Sequence, residues 1–228
     1  MQISVIIPTY NEAATIGLLV QRLRTCGGRR LAEVIVVDAR SPDGTAGVAR
    51  QAGATVLMAP QPGRAAQMNL GAAHATGSVL YFVHADVGIH PDFADDITGA
   101  IGQGYEAGRY RFRFDSAHPL LRLNSYSTRF GGLMSRGGDQ TLFITRSLFD
   151  RLGGFDERFV IMEDFDMIRR ICRLTQFYVV PKDVSVSARK YANNSWLRVQ
   201  VANLIAVVLF YVDTPPARIA RAYKAMLH

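Results

Sequence analysis

The sequence predicts an α/β fold: a mostly parallel central sheet flanked by helices, with a helical extension at the C-terminus. Three observations predict it. Apolar runs at residues 3–7, 34–37 and 79–83 each stop abruptly at polar residues. Such runs are too short for helices and suit strands covered on both faces. Helical segments alternate with them through the first hundred residues, the rhythm of right-handed β-α-β crossovers. Finally, 228 residues at 49% hydrophobic content supply one large core, or one core with a small appendage.

A strand over 2–8 leads to a helix over 12–24, with Ile16, Leu19, Val20 and Leu23 on one face. The strand 33–38 turns at Ser41-Pro42-Asp43-Gly44 into a short helix ending near Gly53. A third strand covers 55–58, and the loop 60–63 opens a helix over 64–75. Gly77 then starts a fourth strand that runs to Asp86. Beyond Pro91 a helix over 92–102 precedes residues 109–114, whose strict Arg/aromatic alternation reads as a half-exposed strand. A helical stretch over 119–134, a Gly-rich loop at 136–139 and a strand over 140–145 follow. After a turn at Gly153-Gly154-Phe155, the helix 163–174 puts Phe165, Ile168 and Cys172 inward and Arg169, Arg170 and Arg173 outward. Two short strands near 176–180 and 184–187 complete the sheet.

Residues 196–212 are strongly apolar but contain Arg198, Gln200 and Asn203. At this length they sit at the lower limit for a bilayer span. They read as a core or docking helix, or as an interfacial helix against a membrane surface, followed by the basic stretch 218–224. The N-terminal apolar run turns polar within a few residues and reads as the first strand of the fold, not as a leader.

A formal charge of +7 and a pI near 9.7 favour anionic partners. The basic residues are scattered, without the aromatic-interleaved stripe of a single-strand binder, which argues against nucleic acid. Cys26 and Cys172 stand far apart with no metal-ligand spacing, which argues against a disulfide framework and suits a reducing compartment. The expected location is cytoplasmic, with a peripheral position at the inner face of the cell membrane.

Strand ends are where α/β sheets gather ligands. Asp86 there can hold Mg2+ or Mn2+ against a diphosphate, or simply stabilise the turn; His84 is a second candidate ligand or a packed histidine. Asp38 can accept from a base or ribose hydroxyl, or cap its turn together with Ser41, Asp43 and Thr45. Glu12 opens the first helix, where a carboxylate complements the dipole whatever the function. Pro8, Thr9 and Tyr10 can shape a cleft wall, with Tyr10 stacking on a base. Arg64 opens a helix, where a cation opposes the dipole; that conflict points to an external anion such as phosphate. Glu163, Asp164 and Asp166 in one first turn suit the macrodipole, and one of them can serve as a general base if it faces a cleft.

Together these residues resemble family 2 glycosyltransferases with the GT-A fold. The resemblance rests on Ser4-Val5-Ile6-Ile7-Pro8-Thr9-Tyr10-Asn11-Glu12, Val36-Val37-Asp38, Gly63-Arg64-Ala65-Ala66-Gln67-Met68-Asn69, residues 77–86, Gly153-Gly154-Phe155-Asp156-Glu157 and Met162-Glu163-Asp164. It covers about residues 2–175. Gly138-Asp139-Gln140 and Ser187-Ala188-Arg189-Lys190-Tyr191 further resemble a compact bacterial subgroup named for radical-SAM, selenium-domain or arsenosugar gene neighbourhoods. The resemblance implies one GT-A domain over 1–190, with a nucleotide-binding half to about 90 and an acceptor half beyond. A C-terminal amphipathic helical segment over 191–228 completes the chain.

The implied activity is sugar transfer from a nucleotide-diphosphate donor, a UDP-sugar favoured, with inversion and without processivity. The implied roles are a nucleoside pocket at Pro8, Tyr10, Glu12 and Asp38, metal and diphosphate at Asp86, and a general base at Asp164. Arg64 and Arg189 are expected to assist the diphosphate, and Asp139 and Gln140 to contact sugar hydroxyls. The chain departs from the family pattern at His84, where the first Asp of Asp-X-Asp stands, at Ala39, and in having no Gln-X-X-Arg-Trp motif. Two alternatives are a sugar nucleotidyltransferase and a catalytically silent nucleotide-sugar-binding scaffold. The first normally carries a Gly-rich, Lys-containing loop after its first strand, where this chain has Thr9-Tyr10-Asn11-Glu12.

Overall fold

The structure is a computed structural model that describes residues 1–116, 120–121, 141–188, 191 and 194–227. The expectations for 119–134 (Leu120 and Leu121 excepted), for the loop at 136–139 and for Asp139, Gln140, Arg189 and Lys190 lie outside the described residues. One sheet of eight strands organises what is described: β1 (Ile3–Thr9), β2 (Leu31–Asp38), β3 (Thr55–Met58), β4 (Val79–Phe82), β5 (Val87–Gly88), β6 (Ala107–Phe114), β7 (Leu142–Thr145) and β8 (Phe177–Val186). Their order is β3-β2-β1-β4-β7-β6-β8-β5. Strands β1 to β4 are mutually parallel, β7 runs against both β4 and β6, and β6 is parallel to β8.

The helices follow from the apolar spacing. Helix α1 (Ala13–Gly27) turns Ile16, Leu19, Val20 and Leu23 onto Ile3, Val5 and Ile7 of β1. Helix α2 (Thr45–Gln51) and α4 (Phe93–Gly102) share that face. Helix α3 (Arg64–His74) covers the other face, burying Ala65, Met68 and Ala72 against Ile6, Ile35 and Val37. Helices α5 (Arg146–Leu152) and α6 (Glu163–Leu174) extend that layer with Leu148, Phe149, Met167 and Ile171. Covering both faces is what demanded continuous apolar strands. The C-terminal pair, α7 (Trp196–Tyr211) and α8 (Pro216–Met226), packs Phe210 and Ile219 against Phe159 and Phe165 beside the start of α6. No described helix is long and apolar enough to cross a membrane.

Four expectations need correction. The fourth strand stops at Phe82, not Asp86: Val83 N–H still bonds the Ile6 carbonyl, but residues 84–87 form a turn. The chain re-enters the sheet as β5 on the end of β8. Five residue steps reach at most ~18 Å, whereas four strand spacings span ~19 Å, so the sheet must curl to bring the end of β8 back toward β4. Second, residues 109–114 are not uniformly half-exposed. Arg109 is only 1% exposed and Tyr110 is fully buried, and exposure begins past Tyr110. Third, the two short strands are one, β8, carrying a register shift where Tyr110 faces Val180 but Arg111 faces Asp183. Fourth, Cys172 is exposed; Met167 and Ile171 occupy the inner face of α6 instead.

Gly108 marks a point of close backbone approach in the curled half. A Cβ there would meet the Tyr178 carbonyl at 2.4 Å and the Phe143 ring at 2.6 Å. Gly108→Ala is therefore expected to destabilise the fold by about 1–3 kcal/mol through overpacking, seen as a lower urea midpoint at unchanged slope.

Candidate active site

The C-terminal ends of β1, β2 and β4 open one edge of the sheet, and loops and helix starts converge there. At such an edge the last carbonyls and the first helical N–H groups need partners, and polar side chains supply them. Asp38, fully buried, accepts from Thr9 Oγ1 at 3.1 Å, Ser41 Oγ at 2.6 Å and Ser41 N–H at 2.8 Å. Successive N–H groups of Asn11, Glu12 and Ala13 donate to Ser41 Oγ, Thr45 Oγ1 and Asp43 Oδ2 at 2.9, 2.9 and 3.0 Å. The Ser-Pro-Asp-Gly-Thr turn thus caps the neighbouring helix α1 as well as its own. Donation from Thr45, then from Ala13, holds the Asp43 carboxyl below its ordinary range.

Gln67 was not singled out in the sequence, although it interrupts an otherwise small and apolar face of α3. Its Nε2 donates to the carbonyls of Thr9 at 2.9 Å and Val37 at 2.7 Å, and its Oε1 accepts from Gly63 N–H at 3.2 Å. One buried amide therefore ties the ends of β1 and β2 to the start of α3. Asn69, two residues along, clamps the Gly-Gly-Phe turn: it exchanges two 2.9 Å hydrogen bonds with the backbone of Phe155 and donates to Glu157.

The start of α6 faces this assembly. Arg64 Nε lies 2.8 Å from Glu163 Oε1, a carboxylate with no solvent exposure. Asp164 Oδ2 lies 3.7 Å from His84 Nε2, and both side chains are about nine-tenths buried. Met162, immediately before, is held at φ 70°, a backbone conformation uncommon for a residue with a side chain and frequent at functional sites. Asp166 points elsewhere. It pairs with Arg169 and Arg170, and Arg170 bonds the carbonyls of Leu152 and Gly154. It anchors α6 to the Gly-Gly turn.

Burial raises the Glu163 carboxyl to about 7, with Arg64 opposing the rise and Asp164 adding to it. Two adjacent acids thus occupy different environments, one sealed against an arginine and one turned toward a histidine. Tyr10, at 52% exposure, stands at the end of β1 on the open side of the edge. Pro8 and Thr9 are buried within β1 and form its wall, not its surface. Glu12 accepts from Thr15 Oγ1 at 3.1 Å. Asp86 sits in the 84–87 turn, its carbonyl receiving Ser187 N–H at 3.3 Å. Among the described residues no cluster of three or more His, Cys, Asp or Glu side chains is placed to hold a metal.

Residues 4–154 match the family described as Glycosyl transferase family 2. The chain belongs to that family. An uncharacterised glycosyltransferase of Mycobacterium tuberculosis is 31% identical over 179 residues, 74% of this chain and 68% of the relative. A glucosyl-3-phosphoglycerate synthase of Mycolicibacterium smegmatis is 35% identical over 98 residues, 40% of this chain. That match spans 32% of the relative's length. Among solved structures, a mannosyltransferase of Pyrobaculum calidifontis in complex with GDP-Man and Mn2+ superposes with a TM-score of 0.67 at 21% identity, covering 99% of this chain and 69% of that one. Glucosyl-3-phosphoglycerate synthase of Mycobacterium tuberculosis with Mg2+ and UDP gives 0.63 at 22% identity, covering 91% and 78%. These likenesses establish the GT-A fold of this family 2 chain.

The raised Glu163 carboxyl has a consequence for stability. An acid whose folded pKa exceeds its unfolded value makes the folded state bind more protons, so stability falls as pH rises between the two values. From Glu163, stability is expected to decline between about pH 4.5 and pH 7 and to level off above. Glu163→Gln removes this decline, and urea midpoints at pH 5 and pH 7.5 in both proteins read it directly.

Proposed function

We propose that this chain transfers a sugar from a nucleotide-diphosphate donor, a UDP-sugar favoured, to an acceptor hydroxyl with inversion and in single, non-processive steps. The observation that carries the proposal is Asp164. It is a nearly buried carboxylate at the N-terminus of α6, facing the end of β4 across 3.7 Å to His84, on the edge where sheets of this kind bind ligands. Solved relatives hold UDP, UDP-glucose or GDP-Man, which supports a nucleotide-sugar donor here.

In this reading the exposed ring of Tyr10 stacks on the base. Asp38 acts through Thr9 and Ser41, shaping the pocket floor from its buried position. Arg64 stands at the helix start nearest the diphosphate, where its charge and the α3 N-terminus both favour an anion. Asp164 takes the proton from the acceptor oxygen as that oxygen attacks the anomeric carbon from the face opposite the departing diphosphate. Glu163 positions the base helix through its ion pair with Arg64 and stays out of solvent. Asp139, Gln140 and Arg189 complete the proposed site as contacts to sugar hydroxyls and diphosphate.

The fold family implies Mn2+ or Mg2+. Such a hard cation, resting mainly on diphosphate oxygens and water, needs only one or two carboxylates from the protein. Asp86 fits that limited demand, with His84 beside it. When bound, the ion neutralises charge on the leaving diphosphate. The bacterial subgroup that the sequence resembles bears on gene context and leaves the acceptor to experiment.

Asp164→Asn is expected to lower the turnover number about 10²- to 10⁴-fold while nucleotide-sugar affinity stays within about twofold. Single-turnover transfer and calorimetric titration separate the two, and retained turnover refutes the base assignment. Thermal shifts with UDP-, GDP-, CDP- and dTDP-sugars in Mn2+ are expected to be largest for a UDP-sugar. His84→Ala is expected to change the Mn2+ concentration giving half-maximal transfer; an unchanged value makes His84 a packing residue.

A further inference from the structure

Helix α7 is apolar on both its buried and its exposed face. Its polar residues are partly buried and paired: Arg198 Nε donates to the Met226 carbonyl, Asn203 Oδ1 accepts from Tyr223 Oη at 3.0 Å, and Gln200 Nε2 donates to Tyr191 Oη at 3.3 Å. Its exposed residues are all aliphatic: Leu197, Val201, Leu204 and Val208. They recur at four-, three- and four-residue spacings, so they form one stripe, and Val212 continues it past the helix end. These five side chains are 39–65% exposed. The opposite face, Val199, Ala202, Ala206 and Phe210, is the buried one.

We propose that this stripe docks the protein on an anionic lipid surface. Charge selects that occupant. From residue 189 onward the sequence holds six basic residues against the single acid Asp213, a net +5 of the chain's +7. Asp213 is itself paired with Arg169. On α8, Arg218, Arg221 and Lys224 are all exposed, and that helix carries no acidic residue. An aliphatic face with nearby cations matches the acyl–headgroup boundary of a negatively charged leaflet.

A second copy of the chain fits poorly. Two such segments repel each other, and five half-exposed aliphatic side chains offer on the order of a few hundred Å2, below the ~800 Å2 per partner of a stable interface. Docking also has a bearing on the site, because Phe210 of α7 packs on Phe165, the residue after Asp164. The inference stands apart from the sugar-transfer reading, since it concerns an outer surface and is measured without a substrate.

The test is sedimentation of the full chain with vesicles of phosphatidylcholine alone or with about 30% phosphatidylglycerol. The expected result is partitioning to the anionic vesicles more than about tenfold stronger than to the neutral ones, weakening with added salt. Leu204→Asp/Val208→Asp and Arg218→Glu/Arg221→Glu/Lys224→Glu are each expected to lower it at least about tenfold. Equal binding to both vesicles, or a folded Leu204→Asp/Val208→Asp variant that binds like the parent, overturns the proposal. So does dimerisation in vesicle-free buffer that this variant abolishes, which assigns the face to a second copy. Should the variant melt early, quenching of Trp196, the only tryptophan, by brominated phosphatidylglycerol vesicles in the unaltered protein supports docking, and no quenching refutes it.

Discussion

Everything in the site depends on how the ends of β1 and β2 are closed. These are central, parallel strands buried through their C-terminal ends, and where they stop the backbone loses its ladder partners while still shielded from water. A buried carbonyl or amide left unpaired costs about 1–3 kcal/mol. Gln67 answers that demand for Thr9 and Val37 in one side chain and fixes the start of α3 at the same time. Asp38, Ser41, Asp43 and Thr45 answer it for the two following loops and for α1. The polar groups at this edge form a rigid floor before any ligand is considered, and Tyr10 and Arg64 rise from that floor.

The second half of the site comes from far along the chain. Helix α6 is tied down by Asp166 and Arg170 to the Gly-Gly turn, and that turn is clamped to α3 by Asn69. The Arg64–Glu163 pair joins the same two helices nearer the edge. Asp164 is thus carried on an element cross-linked at two levels to α3, the kind of support that the base proposed for it would need to hold its geometry. Burying Glu163 is costly, and Arg64 offsets that cost only partly, which is why its carboxyl stays raised.

The curl of the sheet links these halves. Because β5 pairs with the end of β8, the 84–87 turn passes over the edge where His84 meets Asp164. A flat sheet would have left His84 and Asp86 two positions apart on a strand, both on one face of the sheet. In the turn, His84 instead meets Asp164.

Apolar runs, helix periodicity and glycine-rich turns were enough to read β1 to β4, α1 to α4 and α6 from the sequence, because burial on both faces writes itself into composition. The polar residues at strand ends were equally visible as candidates, and Arg64 was marked by its conflict with the helix dipole. What the sequence did not contain was partnership. That Asp38 is consumed by Thr9 as well as by Ser41, that Arg64 meets Glu163, that Arg109 is buried and that Asp166, through Arg170, anchors its helix to the Gly-Gly turn all depend on where separate elements meet. Local pattern carries the hydrophobic face of each element; which side chains meet across elements is set by packing and by sheet curvature. Only the tertiary structure could decide that.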